Sequence, residues 1–192
     1  MEAIYAIDSQ NGLSKNGIIP WKSKKDMSFF FNKTKNNIVI MGKNTFFSIP
    51  RPLKNRLNIV LTNSPHLYEN IVNEDSHVLF MNNNNIHQDI LNNRNKYYEM
   101  YTYLQKDFTI FFIGGKTIYE QFIPLCDKVW VTYFKYNYNC DLFIDYDYSK
   151  QFNGELFEEN DEYSIIKYTR NSYYNSIVKN KINIFDLYNK YT

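Results

Sequence analysis

The chain has 192 residues and carries 22 Lys and Arg against 20 Asp and Glu, a net charge of +2 that is too small to argue for nucleic acid or a membrane surface as an obligatory partner. With 44% hydrophobic and 18% aromatic residues it is long and apolar enough for one domain with a sizeable core. Two cysteines, Cys126 and Cys140, argue against a disulfide framework and suit a cytoplasmic setting, the first residues lack signal-peptide character, and no uncharged apolar run nears the roughly 18 residues of a membrane span.

Taken in chain order, Ile4 to Ile7 reads as the first strand. Ser23 is an N-cap for a helix from Lys24 to Lys35, in which Met27, Phe30, Phe31 and Thr34 recur at helical spacing. A strand over Ile38 to Met41 leads into a short helix, Lys43 to Ile49, stopped by Pro50 and Pro52. Strands at Ile59 to Leu61 and Val78 to Met81 precede one helix-like stretch, Ile86 to Leu104. A strand over Thr109 to Ile113, a helix over Lys116 to Phe122 and a strand over Val129 to Phe134 follow. Several of these strands are continuously apolar, as strands covered on both faces must be. The alternation predicts an α/β fold: a single domain with a central, mainly parallel β-sheet flanked by helices. Period-2 alternation between Glu155 and Arg170 (Leu156, Tyr163, Ile165, Tyr168) adds a C-terminal antiparallel hairpin at one edge. The domain is expected to span residues 1–170. Residues 171–192 read as an amphipathic extension or linker, with too many apolar side chains (Ile177, Ile182, Phe185, Leu187 among them) for a solvated end.

Three short stretches carry chemistry. In Gly17-Ile18-Ile19-Pro20-Trp21 a turn is followed five residues later by Asp26, a carboxylate set among aromatic residues on one helical face. An acid there is costly to bury without a partner and is therefore a site candidate. Ser23-x-x-Asp26 also has the form of a capping box, and on these residues alone the two readings stand about level. Met41-Gly42-Lys43-Asn44-Thr45 and Ile113-Gly114-Gly115-Lys116-Thr117 both put glycine where a strand gives way to a helix, a place where backbone amides can meet a phosphate. The latter is not a G-x-G-x-x-G fingerprint. Arg51-Pro52-Leu53-Lys54-Asn55-Arg56 is a basic segment that charge alone assigns to a solvated turn. His66, His77 and His87 have no metal-ligand spacing, so no metal is expected, and neither a G-x-S-x-G elbow nor a P-loop occurs.

In this order and over residues 2 to 170, these pieces resemble dihydrofolate reductase. The resemblance implies reduction of 7,8-dihydrofolate to 5,6,7,8-tetrahydrofolate by hydride transfer from NADPH, and binding of antifolates at the same site. It implies that Asp26 is the sole acid of the pterin pocket, hydrogen-bonded to the pyrimidine N3 and 2-amino group, with Thr132 bonded to it. Trp21 would hold a water beside the pterin, and Ile19 would sit on the mobile loop that closes over the nicotinamide. Ile4, Tyr5, Ala6, Met27, Phe30, Ile49 and Ile113 would surround the pterin. Leu53 would meet the p-aminobenzoyl ring, and Arg56 would pair with the substrate's α-carboxylate. The cofactor would run past Ala6, Leu13, Ser14, Gly42, Lys43, Asn44, Thr45, Leu61, Thr62, Asn63, Ile113, Gly114, Gly115, Lys116, Thr117, Ile118 and Tyr119, with Lys43 on the 2′-phosphate. The chain departs from the family pattern in a long Asn82–Asp107 connection, in Asp145 where proline is usual, and in Lys116 and Thr117 after the glycines. The extension is similar to the start of a linker in forms fused to thymidylate synthase, which would make that enzyme a partner. Rival readings are a catalytically weak binding domain that carries a partner enzyme, and a related pyrimidine reductase.

Overall fold

The uninterrupted apolar runs become the inner strands of an eight-stranded sheet in the computed structural model, which describes residues 1–71 and 77–171. The predicted extension, from residue 172 on, lies outside the described residues. The elements are β1 (Glu2–Ile7), β2 (Gly12–Ser14), α1 (Lys24–Thr34), β3 (Ile38–Gly42), α2 (Lys43–Ser48), β4 (Leu57–Leu61) and β5 (Val78–Met81). They continue as α3 (Ile86–Asn92), α4 (Arg94–Met100), β6 (Ile110–Phe112), α5 (Lys116–Phe122), β7 (Lys128–Phe134), β8 (Leu142–Phe143), β9 (Phe152–Glu159) and β10 (Tyr163–Arg170).

The sheet runs β5-β4-β3-β6-β1-β7-β10-β9. The pairings from β5 to β7 are parallel, whereas β10 is antiparallel to both β7 and β9. This is the mainly parallel α/β sheet with an edge hairpin that the sequence predicts. Alternate residues of each strand enter opposite layers. Tyr5, Ile40, Ile59 and Phe112 pack with Ile90, Ile118 and Phe122 on one side, while Ile4, Val39, Met41, Val60 and Phe111 pack with Trp21 and Phe46 on the other. Both faces being covered explains why the strands read as unbroken apolar runs rather than as alternating ones. The parallel strands deliver their carboxyl ends to one edge of the sheet, where open α/β folds form their crevices.

Four local features depart from the sequence reading. The stretch Ile86 to Leu104 is two helices, because Asn93 leaves the helical region at φ −117 and ψ 31. Its side-chain amide donates to the Asp89 carbonyl and carboxylate, a local bond that competes with the helix ladder. A two-stranded sheet of β2 and β8 was not expected, since strands this short carry no periodicity. In the hairpin, Tyr163 and Ile165 are fully buried as the alternation requires, but Leu156 is 56% exposed. A register shift at Ile165/Ile166 and the edge position of β9 account for that difference. Finally, α1 ends at Thr34, and its apolar residues Met27 (46% exposed) and Phe31 (41% exposed) face the crevice rather than the core.

Among the described residues, no helix is long and apolar enough to cross a membrane. Cys126 and Cys140 are both free thiols.

Candidate active site

At the carboxyl ends of the parallel strands lies a cleft of about 1900 Å³. β1 contributes Ile4, Tyr5 and Ala6, β2 contributes Leu13 and Ser14, and the loop after it contributes Ile19 and Trp21. From α1 come Asp26, Met27 and Phe30, and from the β3–α2 junction Gly42, Lys43, Asn44, Thr45 and, beyond the helix, Ile49. Leu53 and Arg56 line it before β4, and Leu61, Thr62 and Asn63 at the end of β4. The β6–α5 turn gives Ile113, Gly114, Gly115, Lys116, Thr117, Ile118 and Tyr119, and β7 gives Thr132. Every residue singled out in the sequence therefore reaches one continuous cleft, although the roles assigned to them are a separate matter.

Asp26 is half-buried on the first turn of α1. Its backbone N–H reaches the Ser23 hydroxyl at 3.4 Å, which is half of a capping box. The other half is missing, because the carboxylate turns instead to the sheet and accepts the Thr132 hydroxyl at 2.7 Å. Thr132 is placed beside Ala6 by the parallel register of β1 and β7. Burial pushes the Asp26 carboxyl above its ordinary range against the pull of Thr132, and the negative charges of Glu162 and Glu158 push it further up. Among the described residues no cation lies within ion-pair distance of it. An acid facing an apolar cleft with spare lone pairs and no counter-ion is suited to accept hydrogen bonds from a cationic or amidine-like ligand edge.

The floor of the cleft's other half is backbone. Gly114 sits at φ +123, where an L side chain is strained, and a Cβ there would come within 3.1 Å of the Tyr119 hydroxyl and 3.3 Å of Thr45 Oγ1. The Gly42 N–H donates to the Gly114 carbonyl at 2.7 Å, tying the β3–α2 and β6–α5 turns together. The result is a bare shelf of peptide groups with the first N–H groups of α5 unengaged by the helix itself.

Trp21 is buried, stacked on Phe134 at 4.9 Å and edge-on to Tyr138 at 5.5 Å, whereas Ile19, two residues earlier, is 56% exposed. Arg56 is only 4% exposed. Its Nε donates to Thr34 Oγ1 at 2.9 Å, and its two terminal nitrogens donate to the Lys54 and Phe31 carbonyls. The basic segment is thus not a solvated turn at this position.

Two anchors of the cleft rim escaped sequence reasoning. The buried Asp8 carboxylate accepts the backbone N–H groups of Gln10, Gly12 and Tyr138. Burial opposes its ionisation, but those donors outweigh it and hold its pKa below the ordinary value. Glycine is required at position 12 by the close approach of Cys140, whose Cβ would collide with a Cβ placed there. The second anchor is Asp141, which accepts the Asn16 N–H at 2.6 Å and donates its own N–H to the Ser14 carbonyl at 3.0 Å. The Asp8-to-Gln10 bond is an Asx-type turn, and an Asp ahead of Asn11-Gly12 is a turn signal that could have pointed to the first anchor. Nothing local points to the second, which pairs positions 125 residues apart.

Comparisons with known proteins agree with this geometry. Dihydrofolate reductase of Ureaplasma parvum is 33% identical over 150 residues, covering 78% of this chain and 84% of that protein. The bifunctional dihydrofolate reductase-thymidylate synthase of Daucus carota is 33% identical over 159 residues, which make up 74% of this chain but 28% of that longer protein. Among solved structures, Enterococcus faecalis dihydrofolate reductase complexed with NADP(H) and RAB-propyl superposes with a TM-score of 0.64 at 28% identity, covering 89% of this chain and 96% of that one. With a family model for dihydrofolate reductase matching residues 1–179 as well, the chain belongs to the dihydrofolate reductase family.

Proposed function

We propose that this chain reduces 7,8-dihydrofolate to 5,6,7,8-tetrahydrofolate with NADPH as hydride donor, a step of one-carbon metabolism. The observation that carries the reading is Asp26: an acid without a counter-ion, bonded by Thr132 and turned into an apolar cleft. Thr132 occupies part of Oδ1, and the remaining lone pairs can accept two parallel hydrogen bonds from N3 and the 2-amino group of a pterin. Ile4, Ala6, Phe30 and Ile49 supply apolar surface for the flat ring, with Met27 at the open side. Asp26 would orient that ring and draw charge toward it, which favours protonation at N5. Arg56, a buried guanidinium without a carboxylate partner among the described residues, would take the substrate's α-carboxylate beyond Leu53.

The residues present also suit a dinucleotide. The bare shelf at Gly114 and Gly115, bordered by Thr45, lets a diphosphate approach the backbone. Tyr119 and Ile113 would flank the nicotinamide beside Ala6, and Lys43 with Thr62 and Asn63 would hold a 2′-phosphate. Bound NADPH would supply the hydride, and the chain's own part is to align and desolvate the reactants. Lys43→Ala is expected to weaken NADPH binding about tenfold or more, the loss of one charged hydrogen bond, while NADH binding changes little. Fluorescence titration with both cofactors checks this, and equal losses would remove Lys43 from the phosphate.

The reaction is tested by following NADPH absorbance with dihydrofolate added. Loss of absorbance that a diaminopyrimidine antifolate blocks is the expected result, and no loss at all would leave a binding domain as the better reading. We also propose that residues 1–170 are the catalytic domain and 171–192 an extension to it. All cleft-lining residues lie at or before Leu142. Ending the chain after Arg170 is therefore expected to keep specific activity per folded molecule, measured with a correction for the folded fraction. Activity lost at full folding would bring the extension into the site.

A further inference from the structure

The β9–β10 turn approaches the first turn of α1 with acidic side chains that the reading of the cleft has not used. Ser23 stands between them. Its hydroxyl donates to Glu162 Oε2 at 2.8 Å and accepts the Asp26 N–H at 3.4 Å. Glu162 is itself fixed, because the Asn160 side-chain carbonyl accepts the N–H groups of Glu162 and Tyr163 at 2.9 and 3.0 Å. Glu158 stands near the end of β9, where its Oε1 accepts the hydroxyl of the fully buried Tyr163 at 3.0 Å. Tyr163 in turn packs on Phe134, the ring that carries Trp21.

We propose that Glu162 is a positioning residue for Asp26, fixing the first turn of α1 through Ser23 and facing Asp26 with a second negative charge. The inference rests on the reading of Asp26 as the acid that holds the pterin. The groups that face Asp26 are Thr132 from β7 and Glu158, Glu162 and Tyr163 from the hairpin, while Lys24 and Lys25 precede it on its own helix. Lys24 and Lys25, with Lys22, share a shallow hollow with Ser23, Asp161 and Glu162, where their side chains are exposed and open to solvent screening. Among the described residues neither Glu158 nor Glu162 has a cation at ion-pair distance. Their charges therefore act on Asp26 without a direct ion-pair partner, and a like charge nearby favours the protonated acid. Asp26 is held neutral to a higher pH than burial alone would give, in keeping with the direction of its shift.

The test is a titration of the Asp26 carboxyl carbon by NMR in the full chain, in the wild type, Glu162→Gln and Glu162→Ala. Gln keeps an oxygen for the Ser23 hydroxyl and removes only the charge, whereas Ala removes both. The Asp26 midpoint is expected to fall by about half a pH unit in both variants, and the pH profile of dihydrofolate turnover should move with it. Glu162→Ala should in addition lower kcat at every pH, because the first turn of α1 loses its tether. Glu158→Gln offers a second variant that leaves Ser23 untouched and should move the midpoint the same way. A midpoint that stays fixed in all three variants overturns the proposal. A midpoint that falls while the activity profile stays put keeps the coupling of Glu162 to Asp26 and overturns Asp26 as the working acid.

Discussion

Asp26→Asn is expected to lower dihydrofolate turnover at least about 100-fold, the loss that accompanies removal of one preorganised electrostatic contact, and at the same time to raise the melting temperature of the ligand-free protein at neutral pH. The first effect follows from geometry. Asn keeps the shape of the side chain and an oxygen for Thr132, but one of its two faces becomes an NH₂ donor that opposes the pterin's own donors. The second follows from the direction of the Asp26 shift. Burial, with Glu162 and Glu158 behind it, raises the folded-state pKa above the ordinary value of 3.8. The folded protein thus binds the proton more tightly than the unfolded chain does. The sign is fixed by that difference: the group costs nothing below about pH 3.8, and its cost grows as pH rises toward the folded pKa, above which it is fully present. Asn carries no charge and escapes that cost. Calorimetry at neutral pH and stopped-flow hydride transfer check the two arms. A melting temperature that falls on substitution would mean that the carboxylate serves the helix N-terminus, and near-normal turnover would remove it from the chemistry.

The sheet was legible because each inner strand has one physical requirement, two covered faces, and that requirement writes itself as a continuous apolar run at Ile38–Met41 and Ile59–Leu61 and a nearly continuous one at Val129–Phe134, broken only by Thr132. Helices were less so. Met27, Phe30 and Phe31 have the spacing of a buried face, yet the same spacing serves a face that covers a ligand cleft, and only tertiary structure separates the two. At Asn93, whose side chain bonds back to Asp89, the backbone leaves the helical region and divides a pattern that periodicity carries through unbroken. The residues that line the cleft come from stretches that no local rule connects, and only the resemblance joined them in the sequence reading. Spacing alone could not tell whether the Asp26 carboxylate turns back to the helix or toward the sheet, since its partner there is Thr132, which lies 106 residues away. The Asp8, Asp141 and Glu162 contacts are equally non-local, and each depends on where a loop returns. A carboxylate in a polar loop looks the same in sequence whether it is solvated or, like Asp8, closed over by three backbone donors.

Arg56 shows most clearly how structure changes an expectation drawn from sequence. The family resemblance makes it a candidate for the substrate carboxylate, and its removal would then cost binding alone. Instead its side chain also closes the end of α1, donating to Thr34, to the Phe31 carbonyl and to the Lys54 carbonyl, while its Cζ lies 5.2 Å from the centre of the Phe31 ring. Burial lowers its pKa, and no carboxylate among the described residues compensates. A guanidinium has five N–H groups, of which three are engaged here, so one on each terminal nitrogen is left for a ligand. Arg56→Ala is accordingly expected to cost roughly 2–3 kcal/mol of stability from unpaired acceptors and, separately, about 1.5–3 kcal/mol of dihydrofolate affinity. The two losses separate by ligand. A diaminopyrimidine without a glutamyl carboxylate should bind the folded variant almost as it binds the wild type, and NADPH should be unaffected. Arg56→Lys should recover part of the stability but little of the dihydrofolate affinity, because an ammonium cannot present a fork. Isothermal titration with the three ligands, alongside denaturant unfolding, provides the comparison. If the diaminopyrimidine and dihydrofolate weaken equally, Arg56 acts by holding α1 against the cleft, and the substrate's carboxylate has to be held by another cation such as Lys35 or Arg51 at the same mouth.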